Sequence, residues 1–209
     1  MSEKAQNWTY SELAVPESDV IASARERAGH LGCPSITPGT GALLRLLAAS
    51  SGARAVVEIG TGTGVSSMWL LEGMAPEGVL TTIDSEVEFH KAAKATFAEA
   101  GIKSTRTRTI TGHALEVLPR LTDGAYDLVF AGADAIDYSV FVAQAQRLLR
   151  PGGLLVLDNA LWYGKVADPA NREEVPTLLR EVEHELTASE AWLVSLLPTG
   201  NGVLLAAKK

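Results

Sequence analysis

Short apolar segments separated by stretches of helical length limit the fold of this chain more than any other feature. Segments with strand character fall at 54–59, 79–84, 106–111, 126–131 and 153–158, with helical stretches at about 65–75, 86–100, 113–121 and 138–149 between them. Strands joined through helices of that length form βαβ units and a parallel sheet. The strand cores Ala55-Val56-Val57, Asp127-Leu128-Val129-Phe130 and Leu154-Leu155-Val156-Leu157 are almost continuously apolar, as a sheet covered on both faces requires. A helix near 172–187 follows, and then the pattern changes. Trp192 to Leu197 and Val203 to Ala207 read as two strands joined by the turn Pro198-Thr199-Gly200-Asn201-Gly202. Strands linked so closely run antiparallel. Ahead of the first strand, residues 1 to about 35 read as a polar start and one helix near Glu17 to His30, and Leu43 to Ala49 as a second helix. The expectation is one α/β domain with a doubly wound, seven-stranded, mostly parallel sheet closed by an antiparallel hairpin.

In such sheets ligands bind beyond the carboxyl ends of the strands. The first strand ends in Val56-Val57-Glu58-Ile59-Gly60-Thr61-Gly62-Thr63-Gly64. A carboxylate within an apolar run is costly unless a cation or hydrogen-bond donors meet it. The glycines permit a sharp turn and close approach of a ligand. Together they predict a strand end, a tight loop and a helix start around a small ligand with a positive group, and S-adenosylmethionine (SAM) has such groups. The alternative for Glu58 is a surface carboxylate at a frayed strand end. Asp84 ends the second strand, where an acidic side chain can accept both hydroxyls of a ribose. Its alternative is a cap for the helix that follows, a role Ser85 could also fill. Ser66 and Ser67 open the helix after the glycines and could bond a ligand carboxylate there. The spacing of Gly60, Gly62 and Gly64 departs from G-x-G-x-x-G, since Val65 stands where the third glycine would be. With Glu58, that counts against a nicotinamide enzyme.

Composition narrows the classes further. A formal charge of −7 over 209 residues, with pI about 5.1, disfavours a nucleic-acid groove, which needs a basic face. The single cysteine, Cys33, rules out an intramolecular disulfide and a zinc cluster, and reads as a small packed residue. No apolar run approaches a membrane span and the N-terminus lacks a signal-peptide core, so the cytoplasm is the expected compartment.

Larger blocks carry a family resemblance from about Ile36 to the C-terminus. They are Thr37-Pro38 with Gly41-Ala42-Leu43-Leu44, Glu58-Ile59-Gly60-Thr61 with Gly64 and Ser66, Tyr126 to Phe130, Leu148 to Gly153, and Asp158-Asn159-Ala160-Leu161-Trp162-Tyr163-Gly164-Lys165-Val166. With these the chain resembles the family-3 O-methyltransferases, the small catechol and caffeoyl-CoA type with its bacterial members. The resemblance implies a Rossmann-like class I methyltransferase fold, transfer of a methyl group from SAM to a hydroxyl of a small aromatic acceptor, and a homodimer. It implies that Glu58 holds the methionine end or the loop that binds it, that Gly60, Thr61 and Gly64 form that loop, and that Ser66 binds the carboxylate. Asp84 and Ser85 would meet the ribose, His113 and Ala114 the adenine, Ile36 the cofactor from the preceding segment, and Asp134 the methionine amino group. Residues 1–35 would cover the acceptor or contribute to the dimer, with 36–209 as the methyltransferase domain. Trp162 would line the acceptor pocket; its alternative is packing under its own loop.

One part of the family pattern is missing. Where the family has Asp-Ala-Asp-Lys, this chain reads Gly132-Ala133-Asp134-Ala135. Glycine replaces a metal ligand, and alanine the lysine that removes the acceptor's proton. Asp158 and Asn159 remain as the other implied ligands of a divalent cation such as Mg²⁺; alternatively they form a strand-end turn. A base would come from elsewhere. His30 is one candidate, although it reads first as a solvated helix residue, as do His90 and His184. Positioning alone supplies much of the barrier reduction in such a transfer. The rival expectation is a degenerate relative that binds SAM or its demethylated product, S-adenosylhomocysteine (SAH), without turnover.

Overall fold

The computed structural model describes residues 3–209. In chain order the elements are α1 (Glu3–Leu13), α2 (Asp19–Leu31), α3 (Pro38–Ser50), β1 (Ala55–Ile59), α4 (Val65–Gly73), β2 (Val79–Asp84), α5 (Val87–Glu99) and β3 (Thr107–Thr111). They continue as α6 (Ala114–Val117), β4 (Tyr126–Ala131), α7 (Tyr138–Leu148), β5 (Leu149–Leu157), α8 (Glu174–Ala188), β6 (Trp192–Leu197) and β7 (Val203–Lys208). The sheet order is β3-β2-β1-β4-β5-β7-β6. The first five strands pair in parallel, while β7 runs antiparallel to both β5 and β6. The expected seven-stranded sheet with its antiparallel hairpin is present.

Two apolar clusters cover the two faces of this sheet. One gathers Val57, Ile59, Val129, Leu155 and Leu157 with Tyr138, Phe141 and Leu186. The other gathers Val56, Leu80, Leu128, Phe130 and Val156 with Leu44, Trp69 and Ile21. Successive residues of one strand serve opposite clusters, as alternating side-chain directions demand. The chain leaves β1 for β2 on one side and reaches β4 on the other, so the topological switch point lies beside β1, where a crevice opens at the strand ends.

Three elements differ from expectation. The polar start is itself a helix, α1, whose weakly patterned sequence gives little signal. It is held by distant partners: the Glu12 carboxylate accepts from Gly39 N (3.1 Å) and Gly200 N (2.7 Å), and Trp8 Nε1 donates to Pro198 O (3.1 Å). Helix α3 begins five residues early, at Pro38, because Thr37 caps it through Thr40 N and proline suits the first turn. The expected 113–121 helix breaks at Pro119, whose ring cannot continue an α-helix, leaving short α6 and a 3₁₀ turn, Leu118–Arg120.

Candidate active site

A cavity of about 680 Å³ opens at the carboxyl ends of the parallel strands. Its floor is the loop between β1 and α4. Gly60 (φ 93°) and Gly62 (φ 51°) are in the left-handed region that favours glycine. A methyl group added at Gly60 would lie 3.1 Å from Ala133 N, and one at Gly62 would lie 3.0 Å from Cys33 Sγ. The loop therefore has no room for side chains there, so its backbone borders the cavity at Gly60 and Gly62. Thr61 and Ser66 also line it.

Glu58 does not line the cavity. Its carboxylate is fully buried beneath the loop, where it accepts from Ser66 Oγ (2.6 Å), Thr82 Oγ1 (2.6 Å) and Ser67 Oγ. Thr82 spends its proton on Glu58, so Thr61 Oγ1 must donate to Thr82 Oγ1 across their 2.6 Å contact. The expected cation is thus replaced by hydroxyls, and Glu58 acts on the loop rather than on a ligand. Burial pushes its carboxyl up to about 7, against the opposing effect of Ser66, Ser67 and Thr82. Ser66 has committed its hydroxyl proton to Glu58, so an anion at this helix start would be met by backbone N–H groups. Gly64 is likewise outside the cavity; it opens α4 at φ 92°, with Phe97 and Ala93 packed where a side chain would begin.

Asp84 accepts two backbone N–H groups, one on either side of the crevice mouth, and the N-cap of α5 is Glu86 rather than Asp84 or Ser85. Oδ2 accepts from Gly62 N (2.9 Å), fastening the glycine loop to the tip of β2. Oδ1 accepts from Glu86 N (2.9 Å) just ahead of α5. A carboxylate has about four lone-pair sites, so acceptor capacity remains towards the cavity, which Asp84 lines with Ser85, His113 and Ala114. His90 is a correction: only 3% exposed, it packs beneath β2 with Nε2 3.2 Å from Asp84 O. Its position on the inward stripe of α5, beside Ala93 and Phe97, overrode its polarity. His30 and His184 are exposed, and neither lines the cavity.

Opposite the glycine loop stand the ends of β4 and β5. Gly132, Asp134 and buried Ala135 line the cavity, and Asp134 Oδ1 accepts from Ile136 N (3.3 Å). Asp158 is 5% exposed and also lines it. Its carboxyl rises to about 6 through burial, opposed by the Asn159 N–H and reinforced by the like charge of Glu12. Asn159 Oδ1 accepts from Asn201 Nδ2 (3.1 Å), a turn residue of the hairpin. Asn159 (φ 54°), Trp162 (φ 42°) and Tyr163 (φ 56°) all hold left-handed conformations, uncommon for such residues. The loop is fixed in that shape by Ala160 N to Gly202 O (2.9 Å) and Leu161 N to Asn201 O (2.8 Å). Trp162 and Tyr163 meet edge to face at 5.8 Å and both line the cavity.

The donor set does not fit a resident divalent cation. Gly132 and Ala135 offer no ligand, and no group of three or more His, Cys, Asp or Glu among the described residues is arranged to hold a metal.

Several lining residues lacked a sequence signal. Cys33, Pro34 and Ser35 reach the cavity with Ile36 from the segment after α2. The Cys33 thiol is pushed up to about 11 by burial and by nearby Asp84, and it fits the packed role expected of it. Asp137, Phe141 and Asn201 line the opposite wall. Asn201 read only as a turn residue, because its partner is 42 positions away.

A sequence profile of the O-methyltransferase family matches residues 11–209. A Mycobacterium tuberculosis protein named as a probable O-methyltransferase is 48% identical over 201 residues, covering 96% of this chain and 90% of the relative. A solved protein from Corynebacterium glutamicum is 33% identical with a TM-score of 0.91, covering 99% of this chain and 97% of the other. TomG of Streptomyces achromogenes, an O-methyltransferase of tomaymycin synthesis solved with SAM, is 29% identical with a TM-score of 0.88 over the full length of both chains. With a matching profile across nearly its whole length and these relatives, the chain belongs to the O-methyltransferase family, and its fold is the Rossmann-like fold of class I methyltransferases.

Proposed function

We propose that this enzyme transfers the methyl group of SAM to a hydroxyl oxygen of a small aromatic acceptor, without a resident metal. The observation that carries this reading is the side-chain-free floor at Gly60 and Gly62, fastened to Asp84 and facing a cavity of about 680 Å³. SAM supplies an electrophilic methyl group when bound. Backbone N–H groups at the start of α4 would take its carboxylate, Asp134 its amino group, Asp84 with Ser85 the ribose, and His113 with Ala114 and Ile36 the adenosine. Trp162 would bound the acceptor side. The acceptor oxygen forms the new C–O bond as the C–S bond breaks, and the hydroxyl proton is released to water. Catalysis then rests on alignment, which supplies several kcal/mol when reacting atoms are held in line. The segment ahead of Ile36 would cover the acceptor side or contribute to a dimer contact, and a homodimer is the expected assembly, to be checked by light scattering.

Calorimetric titration with SAM and SAH, with Mg²⁺ and with a chelator, tests this reading, followed by methyl transfer to a panel of phenols. Binding and turnover that ignore the chelator are expected. No binding of either compound at millimolar concentration would sink it. Gly132 and Ala135 favour a second reading, a binder without turnover, and cofactor binding with no transfer to any phenol would select it.

A further inference from the structure

Of the four histidines, only His90 is buried, and it lies just outside the cavity lining. Among the described residues its side chain has one polar contact, to the main chain of Asp84, with Nε2 3.2 Å from the carbonyl oxygen. A carbonyl only accepts, so Nε2 carries the ring proton. In the neutral ring Nδ1 is then a bare lone pair, buried with no hydrogen-bond partner among the described residues. An unpaired buried nitrogen is costly, and a leucine in the same place would avoid that cost. His90 shares its stripe of α5 with Ala93 and Phe97, so apolar packing gives no reason for an imidazole there. The bond to Asp84 does. After Asp84 the chain runs through four exposed residues, Ser85 to Glu88, and His90 is the first fully buried residue beyond them. Within that turn Asp84 Oδ1 accepts from Glu86 N, while Oδ2 reaches across to Gly62 N. Both carboxylate oxygens thus carry structural bonds besides those proposed for the ribose. The Asp84 carbonyl is anchored separately, by Gly112 N (2.9 Å) from the end of β3 and by His90 Nε2 from α5. Two donors on the carbonyl fix the main chain at the tip of β2 without using the carboxylate, so the carboxylate can meet a ligand while the turn stays in place.

We propose that His90 is a positioning residue for the ribose of the cofactor: its Nε2–H holds the Asp84 carbonyl and so aims the Asp84 carboxylate at the two ribose hydroxyls. The inference rests on the preceding reading of the cavity as the SAM site. His90 does not reach the cavity itself, so its removal should act through Asp84 and on ribose recognition alone.

The test compares SAH with its 2′,3′-dideoxyadenosyl analogue, which lacks both ribose hydroxyls, by calorimetric titration into the full chain. Three proteins are titrated with each: the parent, His90→Leu, which packs without a donor, and His90→Gln, whose amide N–H can stand where Nε2–H stands. His90→Leu is expected to weaken SAH about tenfold and the analogue less than about twofold, and His90→Gln to recover most of the loss. A second measurement needs no variant. Because His90 is the only buried histidine, its ring proton should be the one slow to exchange in imidazole nitrogen NMR spectra of the parent, borne on Nε2 and shifted more by SAH than by the analogue. Equal weakening of both ligands by His90→Leu, no weakening of either, a glutamine variant as weak as the leucine one, or a proton on Nδ1 would each overturn the role of His90. Equal binding of SAH and the analogue by the parent would overturn the ribose assignment beneath it. Failure of SAH to bind the parent at all would instead overturn the cofactor reading on which both stand.

Discussion

At the scale of single residues, Glu58 shows how a costly group is retained. Its carboxylate replaces lost hydration with three hydroxyl donors, and through Ser66 and Thr82 it fixes both walls of the glycine loop. Glu58→Ala would leave those hydroxyls unpaired around a void, and we expect a loss of about 3 kcal/mol in denaturant unfolding. Glu58→Gln separates charge from shape. The folded state holds its proton up to about pH 7, whereas the ordinary value is 4.5. The folded state thus binds more protons across that window, and stability falls as pH rises through it, by roughly 3 kcal/mol in all. Glu58→Gln should flatten this slope in thermal melts between pH 4.5 and 7; an unchanged slope would place the titration elsewhere. The sequence showed that Glu58 was buried and needed partners, but not that hydroxyls from α4 and β2 would serve in place of a ligand. That choice depends on where Thr82, 24 positions away, points. The missing lysine is a similar case. Ala135 is buried, and a side chain started at Gly132 would meet the Phe130 ring at 3.0 Å. Restoring Asp-Ala-Asp-Lys by Gly132→Asp with Ala135→Lys is therefore expected to lower the melting temperature by several degrees without creating Mg²⁺-dependent turnover.

At the scale of elements, helices are located as much by what they touch as by their own sequences. Helix α1 has a polar sequence, yet Glu12 is 5% exposed and bridges the start of α3 to the hairpin turn. Glu12→Ala should release α1 before it unfolds the sheet. Limited proteolysis is expected to cut between residues 3 and 18 at least tenfold faster, with the global melting temperature lowered far less than by Glu58→Ala. Helices α3 and α4 depend on a close approach: a methyl group at Gly41 would lie 2.2 Å from Trp69 Nε1. Gly41→Ala raises helix propensity but forces Trp69 outwards, so a net loss of about 1–3 kcal/mol is expected on chemical denaturation. The 159–163 loop takes its shape from hydrogen bonds to Asn201 and Gly202 rather than from local preference, which is why its three left-handed residues carried no signal in the chain.

For the whole molecule, charge and burial act together. Glu58 and Asp158 both titrate above their ordinary values, at about 7 and about 6, so each favours the folded state more at mildly acidic pH than at neutral pH. Asp127 acts oppositely: burial alone would raise it, but the N–H groups of Arg54 and Ala55 and the Arg150 guanidinium hold it below the usual range, so its contribution is lost only as pH falls below that range. A melting temperature higher near pH 5.5 than at pH 8 is the expected result, measured by calorimetry without ligand. The sequence by itself determined the strand–helix alternation, the antiparallel hairpin, the acidic charge and a part of the cavity lining at the strand ends, because these follow from local periodicity and from residues that cluster there. Only the tertiary structure decided that Glu58 supports the loop from beneath, that His90 is buried, that α1 is latched by Glu12, and that Asp158 is buried at the edge of the cavity. Those outcomes depend on which distant groups the fold brings within a hydrogen bond or a Debye length of one another, and no local pattern in a chain records that distance.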